Sequence, residues 1–137
     1  MLPEEAYRDL ALYRLEKAAR DLHDAKMNLS AGSCDVAANR AYFCIFHAMR
    51  AVLALDKKDY HKHSAVISFF SKDYIRTGHF ERHFGTTIKM AGALRNSSDY
   101  DDYQDASVEE ADEIVQKASE FFEAIKMYID KHISKDC

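Results

Sequence analysis

The stretch CDVAANRAYFCIFHAMRAVLAL, residues 34–55, decides the fold. Its pattern predicts one helix, and apolar residues fall on every face of that helix. A helix that is apolar all round is buried on more than one side. In a chain of only 137 residues it is therefore expected to lie at the centre of a helical bundle. A second copy of the chain is expected to cover part of it, which indicates a homodimer.

Further helical patterns flank this central segment. Before it, apolar residues recur every three or four positions, which predicts a helix with one buried stripe. After it, the clearest start signal is a capping box, in which Glu110 stands three positions after Ser107. The predicted fold class is all-α, an antiparallel bundle of about five helices that forms a single domain over 1–137. The expected helices cover about 3–29, 34–55, 64–77, a segment from 80 or 86 into 95, and 108–129.

The composition agrees with long helices and short connections. The chain contains only one proline and four glycines, so few residues interrupt regular structure. Hydrophobic residues make up 47% of it, enough for a sizeable core, and 31% charged residues suit a soluble surface. The net charge of −4 gives no overall attraction to nucleic acid. Binding of a nucleotide or RNA would therefore need a local basic patch.

The cysteines and the hydropathy pattern bear on the compartment. Cys34 and Cys44 would lie about 15 Å apart along one helix, which is too far for a disulfide. Three cysteines without a usable spacing indicate a reducing environment. The first ten residues lack the basic and apolar runs of a signal peptide. No segment approaches the roughly 18 apolar residues of a membrane helix. We therefore expect a cytoplasmic protein without a membrane partner.

A polar cluster, RNSSDYDDY at residues 95–103, separates the last two helical patterns. Asn, Ser and Asp side chains compete with helical hydrogen bonds, so a helix end or a turn explains Asn96 to Asp99. It does not explain Arg95 or Tyr100. A guanidinium can hold a phosphate, and a phenol can donate a hydrogen bond or be modified. The aspartates could bind magnesium, but a solvated acidic turn is the simpler interpretation, and neither a metal nor another cofactor is predicted.

The central helix also carries polar residues that need partners. Arg40 and His47 are seven positions apart and so lie near one face. Buried polar groups are costly unless they are paired, so these residues either form a structural network or line a cleft. Pairing of Arg40 with an aspartate of the 95–103 cluster would unite the two interpretations.

The remaining histidines and basic residues have a simpler interpretation. His61 and His63 are two positions apart, and His79 and His83 are four apart, but a closed zinc site needs more ligands. Solvated polar residues near helix ends are therefore expected at these positions. The segment DKKDYHKH, residues 56–63, suits either a phosphate-contacting loop or an ordinary solvated connection.

Three separated elements together resemble the HEPN superfamily of small helical proteins. They are NRAYFCIFHA at 39–48, KHS at 62–64 ahead of two phenylalanines, and LRNSSDY at 94–100. Their order is similar to that of short, single-domain prokaryotic HEPN proteins, and the resemblance spans about 10–129. It implies an antiparallel helical homodimer. Many members of the superfamily are ribonucleases of toxin–antitoxin systems that are paired with a minimal nucleotidyltransferase.

The resemblance is incomplete at the position most needed for chemistry. The HEPN ribonuclease motif is an arginine followed, after four to six residues, by a histidine. Arg95 matches the arginine, but Tyr100, Asp101 and Asp102 stand where the histidine would be. In some relatives a tyrosine two positions after the histidine accepts AMP, and Tyr103 takes that place when Asp101 is aligned with the histidine. Histidine exchanges protons near neutral pH, whereas tyrosine and aspartate do so poorly.

The leading hypothesis is a HEPN homodimer that binds a nucleotide or RNA phosphate in its dimer cleft, together with a nucleotidyltransferase partner. One alternative is a divergent, metal-independent ribonuclease without the usual histidine, in which His47 could act instead. The other is a non-catalytic interaction scaffold. Whether the protein is an enzyme stays open. The candidate catalytic residues are Arg95, Tyr100 and Asp101, and the candidate binding residues are Arg40, Tyr42, His47, Asn96, Asp99 and Tyr103.

Overall fold

The computed structural model describes residues 3–100 and 106–135, with the side chains of 3–96 and 106–134. Within these ranges the chain forms α-helices and one π-helical turn, and no β-strand. The prediction of an all-α fold is confirmed. None of the described helices combines the length and the apolar content that a membrane crossing requires. The helices are α1 (Glu4–Ser30), α2 (Cys34–Leu55), α3 (His63–Phe70), α4 (His83–Tyr100) and α5 (Val108–Lys135), and the π-helical turn is Ser71–Ile75.

Helix α2 lies at the centre of the bundle, as its all-round apolar surface predicts. It packs against α1, α3, α4 and α5. Ile45, Met49 and Leu53 are among its fully buried side chains. On α1, alanines at every seventh position (11, 18 and 25) are fully buried. Such small side chains allow two helix axes to come close together, and the α1–α2 contact is the most extensive in the molecule.

A tight turn reverses the chain between α1 and α2. Gly32 has a φ of +81°, in the left-handed region that glycine adopts without steric cost. The amide of Ser33 then donates to the carbonyl oxygen of Asn28 at 2.9 Å, which closes the end of α1. The predicted stop at Gly32 is therefore confirmed. The turn makes α1 and α2 antiparallel neighbours.

The start of α5 is the predicted capping box. The amide of Glu110 donates to Ser107 Oγ at 3.1 Å, and the amide of Ser107 donates to Glu110 Oε1 at 3.0 Å. These reciprocal bonds satisfy two donors that the first helical turn leaves without partners. The buried stripe of α5 then packs against α2, α1 and α4. Its fully buried residues are Ala111, Ile114, Ala118, Phe121, Ile125 and Ile129.

The third helix differs from its predicted form. Regular α-helix ends at Phe70, and a π-helical turn continues to Ile75. Tyr74 on this turn is buried and donates a hydrogen bond to Asp56 in the connection after α2. The wider turn thus joins α3 to the connection that precedes it. As a result, His63 is held at the first position of α3, against the side of α2.

Candidate functional site

Three helices bring their polar residues together on one side of α2. Tyr42 comes from the middle of α2, His63 from the start of α3, and Arg95 from the later part of α4. The hydroxyl of Tyr42 lies 2.8 Å from His63 Nδ1. Arg95 Nη1 lies 3.2 Å from the same nitrogen. We call these three residues the Arg95 site.

Aromatic rings hold the guanidinium of Arg95 in place. Its Cζ lies 4.7 Å from the ring centroid of Tyr42 and 5.3 Å from that of Phe43. A guanidinium over an aromatic face gains roughly 0.5–2 kcal/mol, depending on how far it is desolvated. The ring of His63 in turn stacks on Phe46, with centroids 4.0 Å apart. Three aromatic residues of α2 therefore orient the guanidinium of Arg95 and the imidazole of His63.

The hydrogen bonds define the tautomer of His63. A guanidinium can only donate, so Nδ1 of His63 accepts the contact from Arg95. Burial raises the pKa of the Tyr42 hydroxyl in spite of the nearby Arg95 charge, so this group keeps its proton and also donates to Nδ1. The ring proton is therefore on Nε2. Burial, together with the positive charges of Arg95 and Arg50, lowers the pKa of His63 and keeps the ring neutral. The site thus combines a fixed cation with a neutral N–H donor.

A second polar cluster lies between α1 and α2. Arg40 Nη1 contacts Asp21 Oδ1 at 3.4 Å, and His47 Nε2 lies 3.6 Å from Asp21 Oδ2. The guanidinium of Arg40 also lies over Phe43, with Cζ 5.0 Å from the ring centroid. Burial raises the pKa of Asp21, and burial with several nearby cations lowers that of His47 to about 4. Arg40 therefore pairs with a carboxylate from α1, a partner that the sequence had not indicated, and the neutral ring of His47 lies beside the same carboxylate.

A third cluster joins α1 and α2 to the connection after α2. Arg14 Nη2 and Arg50 Nη2 both contact Asp59 Oδ1, at 3.1 Å and 2.9 Å. Arg14 also donates to the backbone carbonyl of Arg50 at 3.3 Å. Two guanidinium groups thus share one carboxylate, and the cluster keeps an excess of positive charge. Desolvation opposes the ionised form of Asp59, but hydrogen bonds and charges from both arginines leave its pKa lowered overall.

Three of the seven predicted residues outside the Arg95 site can be placed, namely Arg40, His47 and Asn96. Asn96 is exposed on α4, one position after Arg95. Helix α4 continues to Tyr100, so the polar cluster begins inside a helix and not after one. The side chains of Asp99 and Tyr100, and the whole of residues 101–105, lie outside the described part of the chain. The predicted roles of Asp99, Tyr100, Asp101 and Tyr103 therefore stay predictions.

The histidine beside Arg95 is not the one that sequence reasoning favoured. His63 was expected to be a solvated residue near a helix end, whereas it is half-buried and contacts both Arg95 and Tyr42. It is 32 positions from Arg95, so no spacing rule within one helix could pair the two. The available signal was the KHS element of the HEPN resemblance. No cluster of metal-binding side chains is present among the residues that the structure describes.

Comparison with known proteins agrees with this architecture. The model of the HEPN domain family matches residues 11–128, which is most of the chain. The chain belongs to the HEPN family. Among its relatives is a UPF0332 protein of Thermotoga maritima, 27% identical over 86% of this chain and 89% of that protein. Another is named "Putative toxin MJ0142", from Methanocaldococcus jannaschii, with 30% identity over 88% of this chain and 83% of that protein. A second protein of that organism, "Putative toxin MJ0605", is 31% identical over 82% and 83% of the two chains.

Proposed function

We propose that this HEPN protein binds the phosphate of a nucleotide or of RNA at the Arg95 site and acts as the toxin-type component of a two-component module. The observation that carries the proposal is the contact of Arg95 with His63 Nδ1, made while its guanidinium lies over Tyr42. Because Nδ1 accepts this contact, the neutral imidazole carries its proton on Nε2. The Nε2–H group is then a second hydrogen-bond donor beside the fixed positive charge of Arg95. Phosphate recognition uses such groups, because a guanidinium matches the geometry of phosphate oxygens.

The surrounding charges support the same interpretation. Two described carboxylates pair with arginines here, Asp21 with Arg40 and Asp59 with Arg14 and Arg50. Burial, and then the positive charges of Arg95 and Arg50, lower the pKa of His63. Because two arginines share the one carboxylate of Asp59, the described ion pairs beside the site hold more cations than carboxylates, in a chain whose net charge is −4.

The wider biological role rests on family membership and on the names of relatives. Two relatives are named as toxins, which supports a toxin-type role for this chain. HEPN membership supports a homodimer whose cleft includes the Arg95 site, and a nucleotidyltransferase as the partner protein. In that arrangement Tyr100 or Tyr103 would contact the ligand or accept a modification. The expected compartment is the cytoplasm.

Binding of nucleotides and RNA to purified protein tests the proposal. Wild type, Arg95→Ala and Arg82→Ala should be titrated into a fluorescent nucleotide and into a labelled short RNA. Arg82 is an exposed arginine just before α4, about 20 Å from Arg95 along the axis of that helix. It is therefore a matched control. We expect Arg95→Ala to lose binding and Arg82→Ala to keep it. Equal binding by all three proteins would refute the Arg95 site.

The second candidate is metal-independent cleavage of RNA, which the closeness of His63 to Arg95 favours. Cleavage needs a base that removes the proton of the 2′-hydroxyl group. In the described geometry Nδ1 accepts from Tyr42 and Arg95, and Nε2 carries the proton, so the ring has no nitrogen ready to act as that base. Binding is therefore the better-supported function.

Variants of His63 separate the two candidates. His63→Gln keeps an N–H donor but removes the titratable ring. We expect it to retain part of the binding affinity, and we expect no cleavage by wild type with or without magnesium. Cleavage by wild type that disappears in His63→Gln and Arg95→Ala would establish the ribonuclease instead.

The scaffold alternative has its own signature. If Arg95 served only as part of a buried network, removal of one partner would cost about 3–5 kcal/mol of folding free energy. The ligand-binding proposal predicts a milder loss, because Arg95 is half-buried. Urea unfolding of Arg95→Ala beside wild type distinguishes the two.

A further inference from the structure

A groove lies between the π-helical turn and α4, with a volume of about 360 Å³. Its floor is aliphatic, since the side chains of Ile67, Ile75 and Ile88 line it. Ile75 and Ile88 are largely buried in the core, and Ile67 is half-buried. None of the described residues that line the groove is aromatic or acidic. The groove therefore offers room for aliphatic side chains from outside the chain.

Three cations surround this aliphatic floor. Arg76 follows the π-helical turn, Arg82 precedes α4, and Lys89 lies about two turns into α4. All three are exposed, and no carboxylate in the described part of the chain forms an ion pair with any of them. Glu81, the acidic residue next to Arg82, contacts His83 instead at 3.3 Å. In a chain with 23 acidic and 19 basic residues, such a group of unpaired cations favours an acidic ligand.

The side of α4 that borders the groove is lined by small residues. Gly85 and Gly92 are seven residues apart and lie on one face of the helix, with Lys89 between them. A Cβ at Gly92 would meet no atom within 4 Å apart from the neighbouring backbone of its own helix, so the described core does not require glycine there. Residues this small allow the axis of another helix to come close. The face therefore fits a helix that lies along α4.

The spacing of the cations matches the repeat of such a helix. Arg82 and Lys89 are seven residues apart, which is about 10 Å along the axis of α4. Acidic residues seven positions apart on a partner helix lie on one face with the same separation. Aliphatic residues three and four positions after the first acidic residue fall between the two, where they face the floor of the groove.

We infer that the groove between the π-helical turn and α4 binds an acidic, amphipathic helix of a partner protein. The helix places aliphatic side chains on the isoleucine floor and carboxylates beside Arg76, Arg82 and Lys89. The inference rests on the proposed function only in its two-component part, since the second component must contact this chain. It does not depend on the ligand of the Arg95 site, because Lys89 and Arg95 are six residues apart and so face directions about 120° apart around α4.

Two other occupants fit the groove less well. Single-stranded nucleic acid stacks its bases on aromatic side chains, which the described lining lacks. A symmetric contact between two copies of the chain, centred on this groove, would bring the same cations against each other. An acidic helix of a different protein meets neither difficulty.

The test uses two fluorescent peptides of about 20 residues, long enough to form a helix in water. The acidic peptide carries glutamates at positions i and i+7 and leucines at i+3 and i+4, and the neutral peptide has glutamines in place of the glutamates. Fluorescence anisotropy measures their affinity for the full chain. We expect the acidic peptide to bind, and Arg76→Glu and Lys89→Glu each to weaken it about fivefold to twentyfold, because charge reversal removes an attraction and adds a repulsion. Arg20→Glu, at an exposed position on α1 outside the groove, is the control and should bind as wild type does.

A variant of Gly92 protects the test from effects on folding. Gly92→Gln places its side chain in open space and removes a glycine from the interior of a helix, so the fold should be kept. A helix that lies along α4 meets this side chain, and we expect the acidic peptide to bind about tenfold more weakly. Unchanged affinity would show that the peptide does not lie along α4, against the inference.

The outcomes separate the groove from the Arg95 site. An acidic peptide that does not bind below about 1 mM, or that binds no better than the neutral peptide, overturns the groove. A labelled RNA that is weakened by Arg76→Glu and Lys89→Glu when the acidic peptide is not overturns it in favour of nucleic acid. A homodimer that dissociates in Lys89→Glu, measured by light scattering, overturns it in favour of a second copy. Wild-type protein that binds the acidic peptide but no nucleotide supports the groove and overturns only the Arg95 site.

Discussion

The imidazole of His47 allows a quantitative test of the polar cluster between α1 and α2. Burial, with the positive charges of Lys17, Arg50, Arg14 and Arg40, lowers its pKa to about 4. An unfolded chain would have a histidine pKa of about 6.5. Between these two values the unfolded state binds more protons than the folded state, so the free energy of unfolding rises with pH. Stability that depends on neutral His47 is therefore lost as the pH falls from about 6.5 towards 4.

The size of the effect follows from the two pKa values. A difference of about 2.5 pKa units corresponds to about 3.4 kcal/mol when titration is complete. About 0.2 kcal/mol of this is lost at pH 7 and about 2.6 kcal/mol at pH 4.5. The imidazole should thus account for a decrease of about 2.4 kcal/mol in the free energy of unfolding over that interval. The side chain is only 15% exposed, so water screens little of this effect.

Substitution by glutamine isolates this contribution, because glutamine cannot be protonated. Urea unfolding of wild type and His47→Gln, followed by circular dichroism at pH 7, 5.5 and 4.5, measures the two pH dependences. Relative to wild type, His47→Gln should gain about 2 kcal/mol between pH 7 and pH 4.5. His61→Gln, at an exposed position in the connection after α2, is the matched control and should follow wild type.

Asp21 contributes in the opposite direction. Burial raises its pKa, so protonation at low pH favours the folded state. This term is present in wild type and in the variant, and so it largely cancels in the comparison. A stability difference between wild type and His47→Gln that stays constant from pH 7 to pH 4.5 would refute the reasoning, since His47 would then not be held neutral by its surroundings.

Four further predictions concern the fold and the Arg95 site. Ser107→Ala should lower the free energy of unfolding by about 1 kcal/mol, because it removes one bond of the capping box, and thermal unfolding measures it. Gly32→Ala should cost about 1–2 kcal/mol, since an alanine at φ +81° is strained. Gly92 lies in the interior of α4, and its new Cβ would meet no atom within 4 Å apart from the neighbouring backbone of its own helix. Gly92→Ala should therefore stabilise the fold by about 0.5–1 kcal/mol. Urea unfolding should shift the midpoints of Gly32→Ala and Gly92→Ala in opposite directions. Tyr42→Phe keeps the ring over which Arg95 lies but loses the hydroxyl bound to His63, so nucleotide affinity should fall about threefold to tenfold in a fluorescence titration.

The proposed binding of an anion by an acidic protein requires a local concentration of positive charge. Overall attraction is absent at a net charge of −4. The basic groups on α1 and α2 are nevertheless concentrated around His47, and two of them share the single carboxylate of Asp59. A local concentration of this kind would raise the concentration of an anionic ligand only near this part of α1 and α2. Salt should therefore weaken binding strongly although the protein as a whole is acidic.

The elements predicted correctly are those governed by contacts between near neighbours in the chain. Helix α2 has the bounds that its apolar pattern predicted, Cys34–Leu55. The end of α1 before Gly32 and the capping box at Ser107 and Glu110 could also be predicted from the sequence. Each depends on residues within about four positions of one another, and helical geometry connects such positions directly. The order of the residues therefore already determines which groups within one helical turn can contact each other.

The partners of the polar side chains were decided by the tertiary structure alone. The sequence offered an aspartate of the 95–103 cluster as one possible partner of Arg40, whereas the described ion pair of Arg40 is with Asp21 on α1. His63 joins Arg95 from another helix, and no periodicity relates the two positions. Which side chains meet across two helices depends on the distance, the register and the rotation of both helices. These are set by packing of the whole core, where small alanines on α1 and a π-helical turn after α3 move neighbouring polar groups into contact. The sequence by itself determined the helices and their order, and only their packing determined which arginine, histidine and tyrosine share a site.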